Sequence, residues 1–331
     1  MIFNENICMT DLLKLTEPTL QDIHTARSAI ENHVAHTPIR HSPVLSELLD
    51  ADVWVKHENF QLLGAFKVRG GINLVSQTTQ EERDRGFVTA SSGNHGQSIA
   101  YAARAFGAAC TVVLPEGANP AKAASIAAMG ANVIFHGDVF ERSREHAEEL
   151  AERHGSRFVH AANESALVAG VATYAVEIHE DLKDIDVIFA PIGAGSGASG
   201  VCIVNDALSP STHVIGAQAA NAPAAYHAWK TGNIETYPMS TVAEGLATES
   251  AYTFPIGILR NRLKEFVLVD DADISDAIKT YVFATRTLVE HAGAASLAAA
   301  IKMKDQIKGK RVVLIASGGN ITTDQLKSVL S

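Results

Sequence analysis

Apolar positions along this chain follow two periods. Residues 19–35 carry Leu20, Ile23, Ala26, Ile30 and Val34 at helical spacing, and His36-Thr37-Pro38 ends the run. Residues 42–49 predict a second short helix and 53–56 a strand, with helical spacing again from Lys67. Strands are then expected at 87–90, 111–114, 133–135, 158–160, 187–190, 214–216, 265–269 and 312–316. Helices are expected at 96–106, 120–129, 139–154 and 165–179, with another opening at Val201 and a short one from Thr323. Strands separated by helices of ten or more residues make βαβ units, in which the strands pair in parallel. The expected fold is therefore α/β, with two open, mostly parallel sheets flanked by helices. Residues 86–160 are expected to form a small inserted α/β domain, and 1–85 with 161–331 a larger one.

Composition narrows the function. A chain of 331 residues is long enough for two domains with sizeable cores. Its net charge of −10, with no basic run, argues against nucleic acid as a partner. The three cysteines, Cys8, Cys110 and Cys202, form no paired motif, which fits a reducing compartment and no cysteine zinc site. No apolar run reaches membrane-spanning length and the first residues lack the order of a secretory signal, so a cytoplasmic protein without a membrane partner is expected. Residues 1–18 read as a loosely held arm. Among the histidines, His33/His36 lack a suitably spaced carboxylate, and His146 and His154 lie among Glu145, Glu148, Glu149, Glu152 and Arg153, which reads as a solvated helix face, so no metal site is expected there.

Four stretches can carry chemistry. Lys67 follows Gly64-Ala65-Phe66 and precedes Val68-Arg69-Gly70-Gly71, at the start of a helix. The positive end of the helix dipole disfavours an ammonium there, and a free amine can form a Schiff base with a carbonyl compound. Ser91-Ser92-Gly93-Asn94-His95-Gly96-Gln97 joins a strand to a helix. Its backbone N–H groups suit an anion such as a carboxylate, although an ordinary serine-capped turn uses the same residues. Gly193-Ala194-Gly195-Ser196-Gly197-Ala198-Ser199-Gly200 follows another strand and can wrap a phosphate. It also fits G-x-G-x-x-G, but the next strand ends in Gln218, without the ribose-binding acid of a dinucleotide site, so a single phosphate is the better ligand. Ser317-Gly318-Gly319-Asn320 ends an apolar strand, where a hydroxyl can meet a ring nitrogen. Glu244-Gly245 and Glu290-His291-Ala292-Gly293 are further candidates.

Taken in order, these motifs resemble those of the serine/threonine dehydratase family of pyridoxal-phosphate enzymes, the tryptophan-synthase-β-like group of fold type II. The resemblance spans about residues 20–325. It implies pyridoxal 5'-phosphate as cofactor, bound by the larger domain. Lys67 would link to it and take the substrate's α-proton. Phe66 and Gly245 would flank its ring, Asn94 would bond its 3'-hydroxyl, and Ser317 would meet its ring nitrogen. Its phosphate would lie on Gly193, Ala194, Gly195, Ser196 and Gly197. The substrate carboxylate would rest on Ser91, Ser92, Gly93 and His95.

The implied reaction is loss of water from a β-hydroxy α-amino acid, such as threonine, serine or 3-hydroxyaspartate, to give a 2-oxo acid and ammonia. An amino-acid racemase using Lys67 and Ser92 on opposite faces is the alternative, and a non-enzymatic binding protein a third reading. Arg144 resembles a racemase residue that reaches the substrate carboxylate, and reads equally as an exposed helix arginine. Residues 218–224 carry no carboxylate where racemases of the family bind a divalent ion, so no metal is expected. A homodimer is expected from the resemblance. Leu63 and Ala65 depart from the family's threonine and serine, which puts the substrate question on that loop.

Overall fold

A computed structural model describes residues 15–331. Cys8 and most of the expected N-terminal arm lie outside these residues. In chain order the strands are β1 (Ile39–His41), β2 (Asp52–Lys56), β3 (Phe87–Ala90), β4 (Cys110–Leu114) and β5 (Asn132–Phe135). There follow β6 (Arg157–Phe158), β7 (Val187–Pro191), β8 (His213–Ala219), β9 (Glu265–Val269) and β10 (Arg311–Ile315). They form a six-stranded sheet in the order β1-β2-β10-β7-β8-β9 and a four-stranded sheet in the order β5-β4-β3-β6. Every pairing is parallel except the edge pair β1–β2. The α/β architecture expected from the alternating pattern, two mostly parallel sheets flanked by helices, is present.

Parallel strands covered on both faces become continuous apolar runs. In β10, Val312, Val313, Leu314 and Ile315 are all fully buried. One core lies beneath the helices Pro43–Leu49, Asp271–Thr285 and His291–Lys302, and a second beneath Ser165–Asp181 and Ser196–Leu208. The helix Ser165–Asp181 is buried from residue 167 to residue 179, on every face, as expected of a central helix. It packs against the helix Lys67–Ser76 at very short range. A Cβ on Gly170 would lie 2.8 Å from the Gly70 Cα and 2.6 Å from the Arg69 carbonyl oxygen. That glycine pair sets how closely the Lys67 helix can approach the centre of the molecule.

The core of the four-stranded sheet contains Phe87, Ile99, Val112 and Leu114. It also takes Val68, Ile72 and Val75 from the Lys67 helix, which precedes that sheet in sequence. Several elements differ from expectation. β1 is a three-residue edge strand with two exposed positions, too short to show alternation. The helix His291–Lys302 is missing from the pattern because its alanines are buried almost all round and leave no apolar stripe. The helix expected from Val201 begins at Ser196, because Gly197 and Gly200 are themselves helical residues packed against neighbours. The helix expected from Gly96 begins at Asn94.

Candidate active site

The Lys67 loop and the loops after β3, β7 and β10 all leave strands at their C-terminal ends. Parallel pairing gathers those ends on one side of each sheet, where α/β folds bind ligands. Backbone bonds then join loops that are distant in sequence. Ala65 forms an isolated antiparallel bridge with Gly318. The Phe66 N–H donates to the Ser317 carbonyl at 3.2 Å, and the Gly319 N–H to the Gly64 carbonyl at 2.8 Å. Ser317, itself buried, is thereby tied to the segment that carries Lys67.

Lys67 is the first residue of its helix, and its Nζ donates to Ser196 Oγ at 2.8 Å. The same nitrogen lies 5.2 Å from the centre of the Phe66 ring. A Cβ on Gly197 would come 3.0 Å from that ring. Lys67, Phe66, Ser196 and Gly197 thus meet although Lys67 and Ser196 are 129 positions apart. Burial lowers the Lys67 amine from its ordinary value to about 8. A lowered value was expected, but its cause is desolvation rather than the helix dipole.

The glycine loop forms a bare helix N-terminus. Gly195 caps the helix Ser196–Leu208 with φ of 91° and no side-chain cap, so the first N–H groups of the helix are left for a ligand. Gly193 is packed against the short 3-10 turn Glu244–Leu246, where a Cβ would lie 2.2 Å from the Gly245 carbonyl oxygen. Ala194 lies beside it, partly buried. The loop and Gly245 therefore stand side by side, as the sequence motifs require.

Asn94 opens the helix Asn94–Ala105. Its Oδ1 accepts from Asn320 Nδ2 at 2.7 Å and its Nδ2 donates to Glu290 Oε1 at 2.7 Å. Burial raises the Glu290 carboxyl above its ordinary value, partly offset by the bond from Asn94. Glu290 is the partner of Asn94 that the motifs point to least. Its signal was a glutamate directly before His291-Ala292-Gly293, without anything to say what it faces.

His95 is buried, and burial and then the Lys67 charge push it down to about 3. Thr89 Oγ1 donates to the Val159 carbonyl at 2.8 Å, so His95 Nε2, 3.0 Å from that hydroxyl, must be the donor to it. His95 is thus a neutral hydrogen-bonding residue and supplies no charge to a carboxylate. In the preceding turn the Gly93 N–H donates to Ser91 Oγ at 3.2 Å, and Ser92 is partly exposed. Arg144 lies on the helix Phe140–His154, where its guanidinium pairs with Glu141 and Glu148 of the same helix. The Arg144 side chain is 26% exposed, and both carboxylates already hold the cation. Leu63 adopts φ of 65°, with its side chain against the core of the four-stranded sheet, and Ala65 is buried against Gly318.

A buried ion cluster holds the Lys67 segment from behind. Arg69 Nε and Nη2 each donate to Glu58 at 2.9 Å, and Nη1 donates to Glu177 at 2.7 Å. Lys56 Nζ donates to Glu177 at 2.5 Å and to the Thr37 carbonyl at 2.7 Å. Two cations face two carboxylates, all buried, so the cluster is neutral as a unit. It joins β2, the Lys67 helix and the helix Ser165–Asp181.

These donors fit pyridoxal 5'-phosphate. There is an amine lowered to about 8 at Lys67, an uncapped helix N-terminus whose first residue, Ser196, holds that amine, an oriented amide at Asn94 and a neutral hydroxyl at Ser317. The comparisons with known proteins agree. Residues 30–318 match the family model described as pyridoxal-phosphate dependent enzyme. The chain is 35% identical to the L-threonine ammonia-lyase of Thermotoga maritima, over 95% of this chain and 78% of that one. It is 38% identical to the β-hydroxyaspartate dehydratase of Paracoccus denitrificans, over 93% and 98%. The crystal structure of serine racemase from Dictyostelium discoideum matches with a TM-score of 0.86 at 32% identity, covering 92% of this chain and 99% of that one. The chain belongs to the pyridoxal-phosphate dependent enzymes, in their fold-type-II serine/threonine dehydratase family.

Proposed function

We propose that this protein is an ammonia-lyase that removes water from a β-hydroxy α-amino acid, the enamine so released then being hydrolysed by water to a 2-oxo acid and ammonia. The observation that carries this reading is Lys67, an amine lowered to about 8 and hydrogen-bonded to Ser196 at the edge of the phosphate loop. Bound pyridoxal phosphate supplies an electron-withdrawing ring that acidifies the substrate's α-carbon. Lys67 Nζ takes the α-proton as a general base, which its lowered value favours near neutral pH. The bond from Ser196 keeps Nζ beside the phosphate loop, from which the proton it has taken can pass to the departing β-hydroxyl, so that the β-group leaves as water. Ser317, a neutral hydroxyl, does not force a proton onto the ring nitrogen, so charge at the α-carbon is best relieved by expelling the β-group. Ser91, Ser92 and Gly93, before the N-terminus of the helix Asn94–Ala105, hold the α-carboxylate, with His95 neutral behind them.

The test is a screen of L-threonine, L-serine and 3-hydroxyaspartate for 2-oxo acid and ammonia, with chirality of the recovered substrate followed in parallel. Release of 2-oxo acid from at least one of them, lost in Lys67→Ala, is the expected result. Exchange of the α-proton with substrate retained, abolished in Ser92→Ala, would replace the lyase reading by a racemase.

The same reading includes a homodimer in the cytoplasm and residues 86–160 as a small inserted domain. Phe60, Leu62 and Leu288 are exposed beside the Lys67 segment, where Asn59 Nδ2 donates to the Leu288 carbonyl, and such an apolar patch supports a second copy. All four strands of the smaller sheet fall within 86–160, which supports the domain. Among the described residues no helix is long and apolar enough to cross a membrane.

A further inference from the structure

We propose that Glu290 is a positioning residue that locks the Asn94 side chain so that its N–H, rather than its carbonyl, faces the ring hydroxyl of the cofactor. This rests on the pyridoxal-phosphate reading above. A side-chain amide is nearly symmetric in shape, so its partners decide which end is oxygen and which is nitrogen. Asn94 has a partner at each end. Asn320 Nδ2 donates to its Oδ1, and Glu290 Oε1 accepts from its Nδ2, both at 2.7 Å. A flip would set oxygen against carboxylate and nitrogen against nitrogen, replacing two attractions by two repulsions. Asn320 cannot turn to relieve this, because its Nδ2 also donates to the Leu63 carbonyl at 2.8 Å. The second Nδ2–H of Asn94 is then the donor left for the ring, and a donor at that oxygen favours its deprotonated form.

Glu290 is built into this position. It precedes the helix His291–Lys302, and its N–H donates to the Gly318 carbonyl at 3.0 Å. A Cβ on Gly318 would lie 2.4 Å from Glu290 Oε1 and would push the carboxyl out of this position, so the glycine leaves the carboxyl its place. A Cβ on Gly245 would lie 3.9 Å from the same oxygen, which places Glu290 beside a residue assigned to the ring face. Glu58 and Glu177, buried behind the Lys67 segment, bond to Arg69 and Lys56, whereas Glu290 is partly buried. Glu290 bonds to a neutral amide instead, and burial raises its carboxyl. A carboxyl kept there at a desolvation cost is explained by the orientation it imposes.

The experiment titrates apoenzyme with pyridoxal phosphate, reading affinity by fluorescence and the protonation of the ring hydroxyl by the ratio of near-ultraviolet to visible absorbance. The proteins are wild type, Glu290→Gln, Glu290→Ala, Glu290→Asp, Asn94→Ala, Asn320→Ala and the Glu290→Ala/Asn94→Ala double variant. Glu290→Ala is expected to weaken binding about tenfold, the loss of one hydrogen bond to a charged group, and to raise the near-ultraviolet band. Glu290→Gln, whose carbonyl can still accept from Asn94, should stay within about threefold of wild type with its spectrum unchanged. The double variant should bind no more weakly than Asn94→Ala, because Glu290 acts through Asn94. Additive losses in the double variant, or wild-type affinity and spectrum in Glu290→Ala, would overturn the proposal. If Glu290→Ala does not fold, Glu290→Asp, too short to reach Asn94 Nδ2, should show the same spectral change, and a wild-type spectrum there overturns the proposal; Asn320→Ala, with Glu290 still accepting from Asn94, should keep the wild-type spectrum. Wild-type apoenzyme that binds no pyridoxal phosphate would overturn the parent reading instead.

Discussion

Replacing Arg69 by leucine removes the centre of the buried ion cluster, and its cost can be worked from the contacts. Arg69 is 1% exposed and donates to Glu58, Glu177, Thr173 and the Ala35 carbonyl. Without it, Glu58 and Glu177 face Lys56 alone, so one negative charge stays buried without a counter-ion. Breaking a buried pair from one side costs about 3–5 kcal/mol. With an unfolding entropy of about 2 cal/mol/K per residue, a chain of this length loses about 1.5 °C per kcal/mol, so the apparent melting temperature should fall by about 4–7 °C.

The deficit carries a pH signature. In the wild type, burial alone would raise Glu177, but the charges and hydrogen bonds of Arg69 and Lys56 outweigh it and hold the carboxyl below its ordinary value. That contribution is present above the ordinary carboxylate range and is lost as pH falls through the lowered value. In the variant the excess negative charge is relieved by proton uptake, so the gap to wild type should narrow between pH 8 and pH 5. Adding Glu58→Gln to Arg69→Leu should recover part of the loss, since it removes the excess charge. Thermal melts of apoenzyme across this pH range measure all three. A fall below about 1 °C, or a deficit independent of pH, would refute the account of the cluster as a neutral unit of mutually dependent charges.

Two further outcomes follow from the site. With Lys67 lowered to about 8, the free-amine fraction rises with pH. The rate at which apoenzyme takes up pyridoxal phosphate should therefore climb about tenfold per pH unit below that value and level off above it, and a flat stopped-flow profile from pH 6 to 9 would contradict it. Gly193→Ala puts a methyl group 2.2 Å from the Gly245 carbonyl oxygen, which must move the phosphate loop or the Glu244–Leu246 turn. Overpacking of about 1–3 kcal/mol should weaken the cofactor roughly 10- to 100-fold in an apoenzyme titration. Gly117→Ala, where nothing lies within 4 Å, serves as the control and should leave affinity unchanged.

How much of this was legible in the chain depended on whether a signal is local. The alternation of strand and helix is local, because βαβ connections need helices between parallel strands, and it carried the α/β class. Lys67, Asn94, the Gly193 to Gly197 loop and Ser317 were legible because each sits in a short motif with turn and helix-start chemistry of its own. Helix starts shifted at Ser196 and Asn94, because glycines and polar residues that look like loop became the first helical turn once a neighbour packed on them. The helix His291–Lys302 was hidden because burial on all sides erases the stripe that marks a helix.

Residue types at short spacings carry the class of fold, a Schiff-base amine, a phosphate loop and the order of the motifs, and the resemblance of those motifs to a known family implies the cofactor. Tertiary structure decided what those residues face. It gave Lys67 its lowered value through burial, left His95 neutral, and bound Arg144 to Glu141 and Glu148. It also brought Glu290 to Asn94 across 196 positions, a contact with no trace in local spacing. Desolvation and hydrogen bonding act through space, and no motif records which distant side chain will close the other side of a pocket.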